Sequence, residues 1–255
     1  MIDSHCHLTY DPLAGQLDGV LRRAREAGVT GVITIGTTIE DSRRAVDLAR
    51  AHANVACAVG VHPSHAHEAP ADVAGPLADL VGDPTVVAVG ETGIDLYHDR
   101  THVERQRVVF IEQMRLAERV GKPVVIHSRS AVEECLAVMA EFPGVPAVFH
   151  CFTGTVEEAR RIIARGYYLG FTGPVTYKKS DALREVVRMA PADRILVETD
   201  APYLSPEPMR GKFPNEPAWT VHTAARVAAE RGVSVAEIDR ITTANCRRLF
   251  GWAGA

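Results

Sequence analysis

The amino-acid sequence predicts a (β/α)8 TIM barrel, an α/β fold with eight parallel strands inside and helices outside. Three observations carry this. Eight short apolar runs recur along the chain, each followed by an amphipathic stretch. The chain has 255 residues, close to the roughly 250 that one such barrel uses. No Gly-rich phosphate loop follows the first run, which argues against an open doubly wound sheet.

In order the runs are "MIDSHCH", "VTGVITIG", "NVACAVGVH", "TVVAVGETG", "KPVVIHS", "PAVFHCF", "GYYLGFTG" and "RILVETD". Near-continuous Val and Ile mark strands covered on both faces, and alternation with helices makes the sheet parallel. After the fourth run, "HVERQRVVFIEQMRLAERVG" carries an apolar stripe through Val108, Ile111 and Leu116 and stops at Gly121. After the sixth, "TVEEARRIIARG" has Thr155 as N-cap with Glu158 three residues on, and closes at Gly166. The Pro-rich "APYLSPEPMRGKFPNEPAW" after the eighth run is the longest irregular segment, and we expect it to lie over the barrel mouth. No linker or low-complexity tract interrupts the pattern, so residues 1–255 read as a single domain.

Composition narrows the function. Hydrophobic residues make up 46% and charged residues 24%, as in a soluble globular protein. The net charge of -4 provides no global basic field, so a polyanion would have to be held locally by bound cations or a few Arg and Lys side chains. Five cysteines without a C-x-x-C pair argue against a disulfide framework. No secretory signal opens the chain, and no stretch approaches the roughly 18 apolar residues of a membrane span. These features lead us to expect a cytoplasmic protein without a membrane partner. The oligomeric state stays open, with a monomer as the expectation.

The polar residues are informative by position. His5 and His7 end run one, His62 run three, Glu91 run four, His127 run five, His150 run six and Asp200 run eight. In a barrel all of these project at the C-terminal face, where barrel enzymes keep their chemistry. Residues two apart on a strand share a face, so His5 and His7 form a two-nitrogen chelate while Cys6 turns away. Asp3 shares that parity and is placed to orient an imidazole. Four histidines and two carboxylates exceed what one tetrahedral ion uses. They suit two divalent ions bridged by a carboxylate, with Glu91 the natural bridge. Mixed His and carboxylate ligation suits Zn²⁺ or Mn²⁺ and, less comfortably, Mg²⁺. Cys151, like Cys6, reads as a packing thiol. His52, His65, His67, His98, His102 and His222 read as solvated, His65 and His67 near the rim. No G-x-S-x-G elbow supports a serine hydrolase.

The segments "DSHCHL", "GVHP", "GETGID", "KPVVIHSR", "FHCFTG" and "VETDAPYL", followed by "RGK" and "NEP", resemble the TatD family of metal-dependent deoxyribonucleases, a branch of the amidohydrolase-like barrels. "TTANCRRLF" resembles the family's closing helix. The resemblance implies one metal on His5, His7, Glu91 and Asp200, and another on Glu91, His127 and His150. It also implies phosphodiester hydrolysis of DNA, from a 3′ end. One departure stands in the mouth loop: Phe213 and Pro214 separate the basic triplet from Asn215-Glu216, where a single residue is commoner.

The mechanism expected from these residues is attack on phosphorus by a hydroxide held between two ions, with Asp200 as general base. Glu198 lies on the same face and is placed to assist. His62 and Asp95 are candidates for substrate or leaving-group contacts, and Arg129, Arg210 and Lys212 for phosphate contacts. Two divalent cations would let an acidic protein bind DNA, and the binding should be shallow and terminal, at single-stranded ends. Phe152, Tyr203 and Phe213 could stack on bases. The rival is a binuclear hydrolase of a small amide, ester or lactone; there Glu91 would stand in place of the carbamylated lysine many such sites use.

Overall fold

The computed structural model describes residues 1–252. Its strands are β1 (Ile2–Cys6), β2 (Gly31–Ile35), β3 (Val55–Val59), β4 (Val86–Asp95), β5 (Val124–Arg129), β6 (Ala147–Phe149), β7 (Tyr168–Phe171) and β8 (Ile195–Val197). They pair in sequence order, each parallel to the next. The seam between β8 and β1 is nearly closed. Cys6 bridges Ala201, and the amides of His7 and Asp200 donate to the carbonyls of Ala201 and His5 at 2.7 and 2.9 Å.

Helices α1 (Leu17–Glu26), α2 (Ile39–Ala51), α3 (Ala74–Val81), α4 (Val103–Val120), α5 (Val132–Met139), α6 (Val156–Ala164), α7 (Asp181–Met189) and α8 (Thr220–Arg231) follow the strands, and α9 (Val235–Phe250) ends the described chain. Inward residues Ile33, Ile35, Ala56, Ala58, Val125, Val148 and Leu196 form an inner core. Cys246, Leu249 and Phe250 of α9 join that core and plug the barrel floor. Asn245 fastens the plug by donating to the carbonyls of Ala192 and Ile195. None of the described helices is long and apolar enough to cross a membrane.

Local signals act as expected at α6, where Thr155 and Glu158 form a reciprocal capping box. At α4 the helix and its stop at the left-handed Gly121 hold, but the buried face differs. Val108 is exposed, and Val109, Phe110, Met114, Leu116 and Ala117 face the core together with two buried glutamines. The reason is backbone accounting. Gln113 accepts from Val61 N and donates to Val61 O and Thr92 Oγ1, while Gln106 accepts from Asp95 N and donates to Asp99 O. Two polar side chains thereby hold the backbone from which the mouth loops after β3 and β4 spring.

Candidate metal centre at the barrel mouth

The residues of the predicted cluster come together from within or just beyond strands β1, β3, β4, β5, β6 and β8. Glu91 lies within β4, 2% exposed, and five imidazoles surround it. His150 Nε2 and His127 Nδ1 approach Glu91 Oε1 to 2.6 and 2.9 Å, and His62 Nε2 lies 3.5 Å from it. His5 Nε2 and His7 Nε2 face the other oxygen at 3.4 and 4.0 Å. Asp200 closes the group from beyond β8, with Oδ1 3.6 Å from His5 Nε2 and 3.3 Å from His7 Nε2. Burial raises the Glu91 pKa, but His150 first and the other imidazoles around it outweigh this and hold the carboxyl well below its ordinary range. Burial lowers the His150 pKa in turn, and Glu91 reverses this to leave it well above the ordinary imidazole value.

Hydrogen bonds set the free nitrogen on several rings. His7 turns Nδ1 to the Ile35 carbonyl at 3.2 Å, which leaves the Nε2 lone pair free for a cation on the side of Asp200 and Glu91. His127 turns Nε2 to Asp95 Oδ2 at 3.0 Å and leaves Nδ1 for the cluster. Asp95 is in turn gripped by the Tyr97 and His98 amides and the His98 ring. His62 is set the other way: the Ser64 amide donates to its Nδ1 at 3.0 Å, so neutral His62 carries its proton on Nε2, which donates to His127 Nδ1 at 3.1 Å beside Glu91. Burial and the neighbouring His127 push its pKa down to about 3, so the ring is neutral at physiological pH.

This donor set fits divalent cations. His5 and His150 stack at 3.9 Å between centroids. Both ring nitrogens of fully buried His5, and Nδ1 of His150, lack a hydrogen-bond partner among the described residues. Buried polar nitrogens left this way are costly unless something binds them. Three-residue groups able to hold an ion are His5, His7 and Asp200; His5, Glu91 and His150; and His62, Glu91 and His127.

The other predicted residues are distributed around this centre. Asp95 contacts His127 and His98 rather than open solvent. Asp3 does not reach an imidazole; it accepts from Thr199 N and Oγ1 at 2.9 and 2.6 Å and so locks the strand that leads to Asp200. Glu198 accepts from Ser4 Oγ and the Cys151 amide and sits 3.7 Å from His150 Nδ1. Gly170 makes room for it, since a Cβ there would meet Glu198 Oε2 at 2.4 Å. Arg129 is exposed and lies over the Tyr97 ring at 5.2 Å. Arg210 lies over Tyr177 at 4.1 Å and pairs with Glu207, and Lys212 is exposed on the same loop. Phe152 is buried, whereas Tyr203 and Phe213 are 49% and 65% exposed and flank each other at 6.4 Å.

Sequence reasoning missed several supports. The Asn215 amide group donates to the carbonyls of Thr199 and Tyr203, and Glu216 accepts three bonds from Arg23 of α1, the shortest 2.6 Å. Thus the mouth loop is anchored despite its extra residue. His98, read as solvated, holds Asp95. Only the short spacing from Asp95 to His98 hinted at this.

Comparison with known proteins agrees with this geometry. The family model described as TatD related DNase matches residues 2–251. The chain is 40% identical over 260 residues to the 3′-5′ ssDNA/RNA exonuclease TatD of Erwinia amylovora, covering 98% of this chain and 100% of that protein. It is 35% identical over 252 residues to the metal-dependent hydrolase YabD of Bacillus subtilis, covering 98% of each. The crystal structure of YJJV, a TatD homolog from Escherichia coli, superposes with a TM-score of 0.94 at 31% identity, covering 99% of this chain and 98% of that one. The (β/α)8 barrel, the ring of candidate metal ligands at its mouth and these matches together place this chain in the TatD-related DNase family.

Proposed function

We propose that the protein removes nucleotides from the 3′ ends of single-stranded DNA or RNA in the cytoplasm, as a monomer, with two divalent ions (Mg²⁺, Mn²⁺ or Zn²⁺). The observation that carries this reading is the convergence of His5, His7, His127, His150 and Asp200 on Glu91, with both His5 nitrogens unpartnered. The substrate class is that of the similar 3′-5′ ssDNA/RNA exonuclease of Erwinia amylovora. A reducing compartment suits five free cysteines.

One ion would sit on His5, His7, Glu91 and Asp200, the other on Glu91, His127 and His150. Two such ions, when bound, activate water at neutral pH and offset charge on the phosphoryl oxygens. Asp200 takes the proton of the attacking water. Its carboxyl is raised by burial but lowered further by His7, His150 and His5, so it is ionised and able to accept. His62, with its proton on Nε2, donates to the phosphate or the leaving oxygen. Arg129, Arg210 and Lys212 line the approach of the strand. Tyr203 and Phe213 stack on its bases. Replacing both by Ala is expected to raise KM for a single-stranded oligonucleotide about tenfold or more, because one base–aromatic stack contributes ~1–3 kcal/mol. Steady-state kinetics checks this; an unchanged KM removes the stacking role.

Metal uptake should depend on pH with a definite sign. An ion needs neutral imidazoles, and Glu91 holds the proton on His150 above the ordinary imidazole range. Affinity is therefore expected to rise with pH through and beyond about 6.5, roughly tenfold per unit for each proton displaced. Calorimetry in buffers of different ionisation enthalpy measures the released protons. Affinity that is flat between pH 6 and 8 would contradict the linkage.

The reading as a whole is tested by removing metal with EDTA and restoring Mg²⁺, Mn²⁺ or Zn²⁺ against single- and double-stranded DNA and RNA. The expected result is metal-dependent nucleotide release, fastest from single strands. Release from none of the polymers, together with turnover of a small ester or lactone, would replace it.

A further inference from the structure

A second group of metal-ligand side chains stands on the rim, outside the Glu91 centre. His67 follows the short helical turn Pro63–His65 after β3, while Asp99 and His102 lie on the loop between β4 and α4. The His67 and His102 rings stack with centroids 4.8 Å apart and planes 19° apart. His102 Nδ1 lies 2.9 Å from Asp99 Oδ2. One donor atom from each of the three residues falls within 4.8 Å of the other two. The Glu68 carboxylate, 3.6 Å from His67 Nε2, stands at the edge of the group.

We propose that His67, Asp99 and His102 form an additional site for a divalent transition-metal ion, which ties together the mouth loop that bears His62 and the one that follows Asp95. Two imidazoles and a carboxylate are the donors of Zn²⁺, Co²⁺, Ni²⁺ or Cu²⁺, whereas Mg²⁺ prefers all-oxygen surroundings. Three protein donors leave a fourth position for water or Glu68. With both histidines neutral, Asp99 and Glu68 balance the charge of the ion.

The backbone beneath the group is already fixed, so little ordering accompanies binding. Arg105 of α4 reaches across and donates to the carbonyls of Ala66 and Ala69 at 3.2 and 3.1 Å, holding the segment with His67. Gln106 donates to the Asp99 carbonyl at 3.0 Å and accepts from the Asp95 amide, holding the other side. The Thr101 and His102 amides donate to Asp99 Oδ1, which aims the remaining carboxylate oxygen at His102. The rings themselves are exposed, with side chains 38% and 46% accessible. They can swing the short distance from the present spacing to the ~3.3 Å between nitrogens that share one tetrahedral ion.

The test is the number of ions bound by tag-free protein, dialysed against Zn²⁺ or Co²⁺ and measured by metal analysis, with isothermal titration for affinity. Wild type is expected to bind one equivalent more Zn²⁺ than H67N/H102N, and the extra equivalent to be absent in Mg²⁺. The remaining equivalents should keep their affinities, and nuclease activity in Mg²⁺ alone should match wild type. Asp99→Asn, which keeps both rings, is expected to weaken the extra equivalent about tenfold or more. The comparison is between variant and wild type, so its outcome does not depend on how many ions the Glu91 centre holds or on the substrate. Equal Zn²⁺ stoichiometry and affinity in wild type and H67N/H102N, with both folded by circular dichroism, would overturn the proposal. H102N alone serves if the double variant does not fold.

Discussion

Glu91→Gln is expected to lower kcat/KM about 10³-fold or more, on the order of 4 kcal/mol of transition-state stabilisation. The same change should take the Glu91 centre from two bound ions to one or none. Among the described residues Glu91 is the only carboxylate that meets all five imidazoles of the centre, at distances from 2.6 to 4.0 Å. A neutral amide of the same shape keeps the packing but brings an N–H group to one side and removes the charge that offsets two dications. Metal analysis and steady-state kinetics on the same preparation check both halves, with circular dichroism to establish folding. A folded Glu91→Gln enzyme that keeps two ions and wild-type turnover would show that the centre is not bridged at this residue.

Asp200→Asn is expected to reduce kcat about 10²- to 10⁴-fold, the usual range for loss of a general base, with a much smaller change in KM. Asn is the informative replacement because Asp200 has φ of 57°, a left-handed conformation that Asn tolerates and most other residues resist. The backbone bond from Asp200 N to the His5 carbonyl survives the change. His7 keeps its orientation through Ile35. What is lost is proton acceptance and part of one ion's ligation. A flattened acidic limb in the pH–rate profile distinguishes the first loss, and a weaker first-ion affinity the second. Unchanged kcat would assign the base elsewhere, with Glu198 next in position.

The eight strands were legible because a buried parallel sheet needs Val and Ile on both faces, and that need is written locally in each run. The centre was legible for a related reason: His5, His7, Glu91, His127 and His150 each sit at or near the end of an apolar run, and barrel geometry converts that one-dimensional position into a shared face. Other contacts are invisible in one dimension. Arg23 and Glu216 are 193 residues apart, and nothing in either segment marks the other. Gln106 and Gln113 occupy helix positions where a polar residue normally faces water, yet they satisfy loop backbone inside the protein. Val108 then falls on the exposed side, so the apolar period alone misplaces the face of α4. Asp3 shows the same limit. Strand parity puts it on the face of His5 and His7, but β1 shifts register between Asp3 and Cys6, and Asp3 pairs with Val32 of the outer core and bonds Thr199 instead of an imidazole.

If the Glu91 centre cuts phosphodiester bonds from the 3′ end of a single strand, its products have a definite order of appearance. A time course with a 5′-labelled single-stranded oligonucleotide, using enzyme shown to carry two ions per chain, tests it most directly. The expected result is a ladder of labelled products that shortens one nucleotide at a time and disappears in EDTA. Intact labelled strand after prolonged incubation with Mg²⁺, Mn²⁺ and Zn²⁺, or release of the label as a mononucleotide at the earliest times, would contradict it.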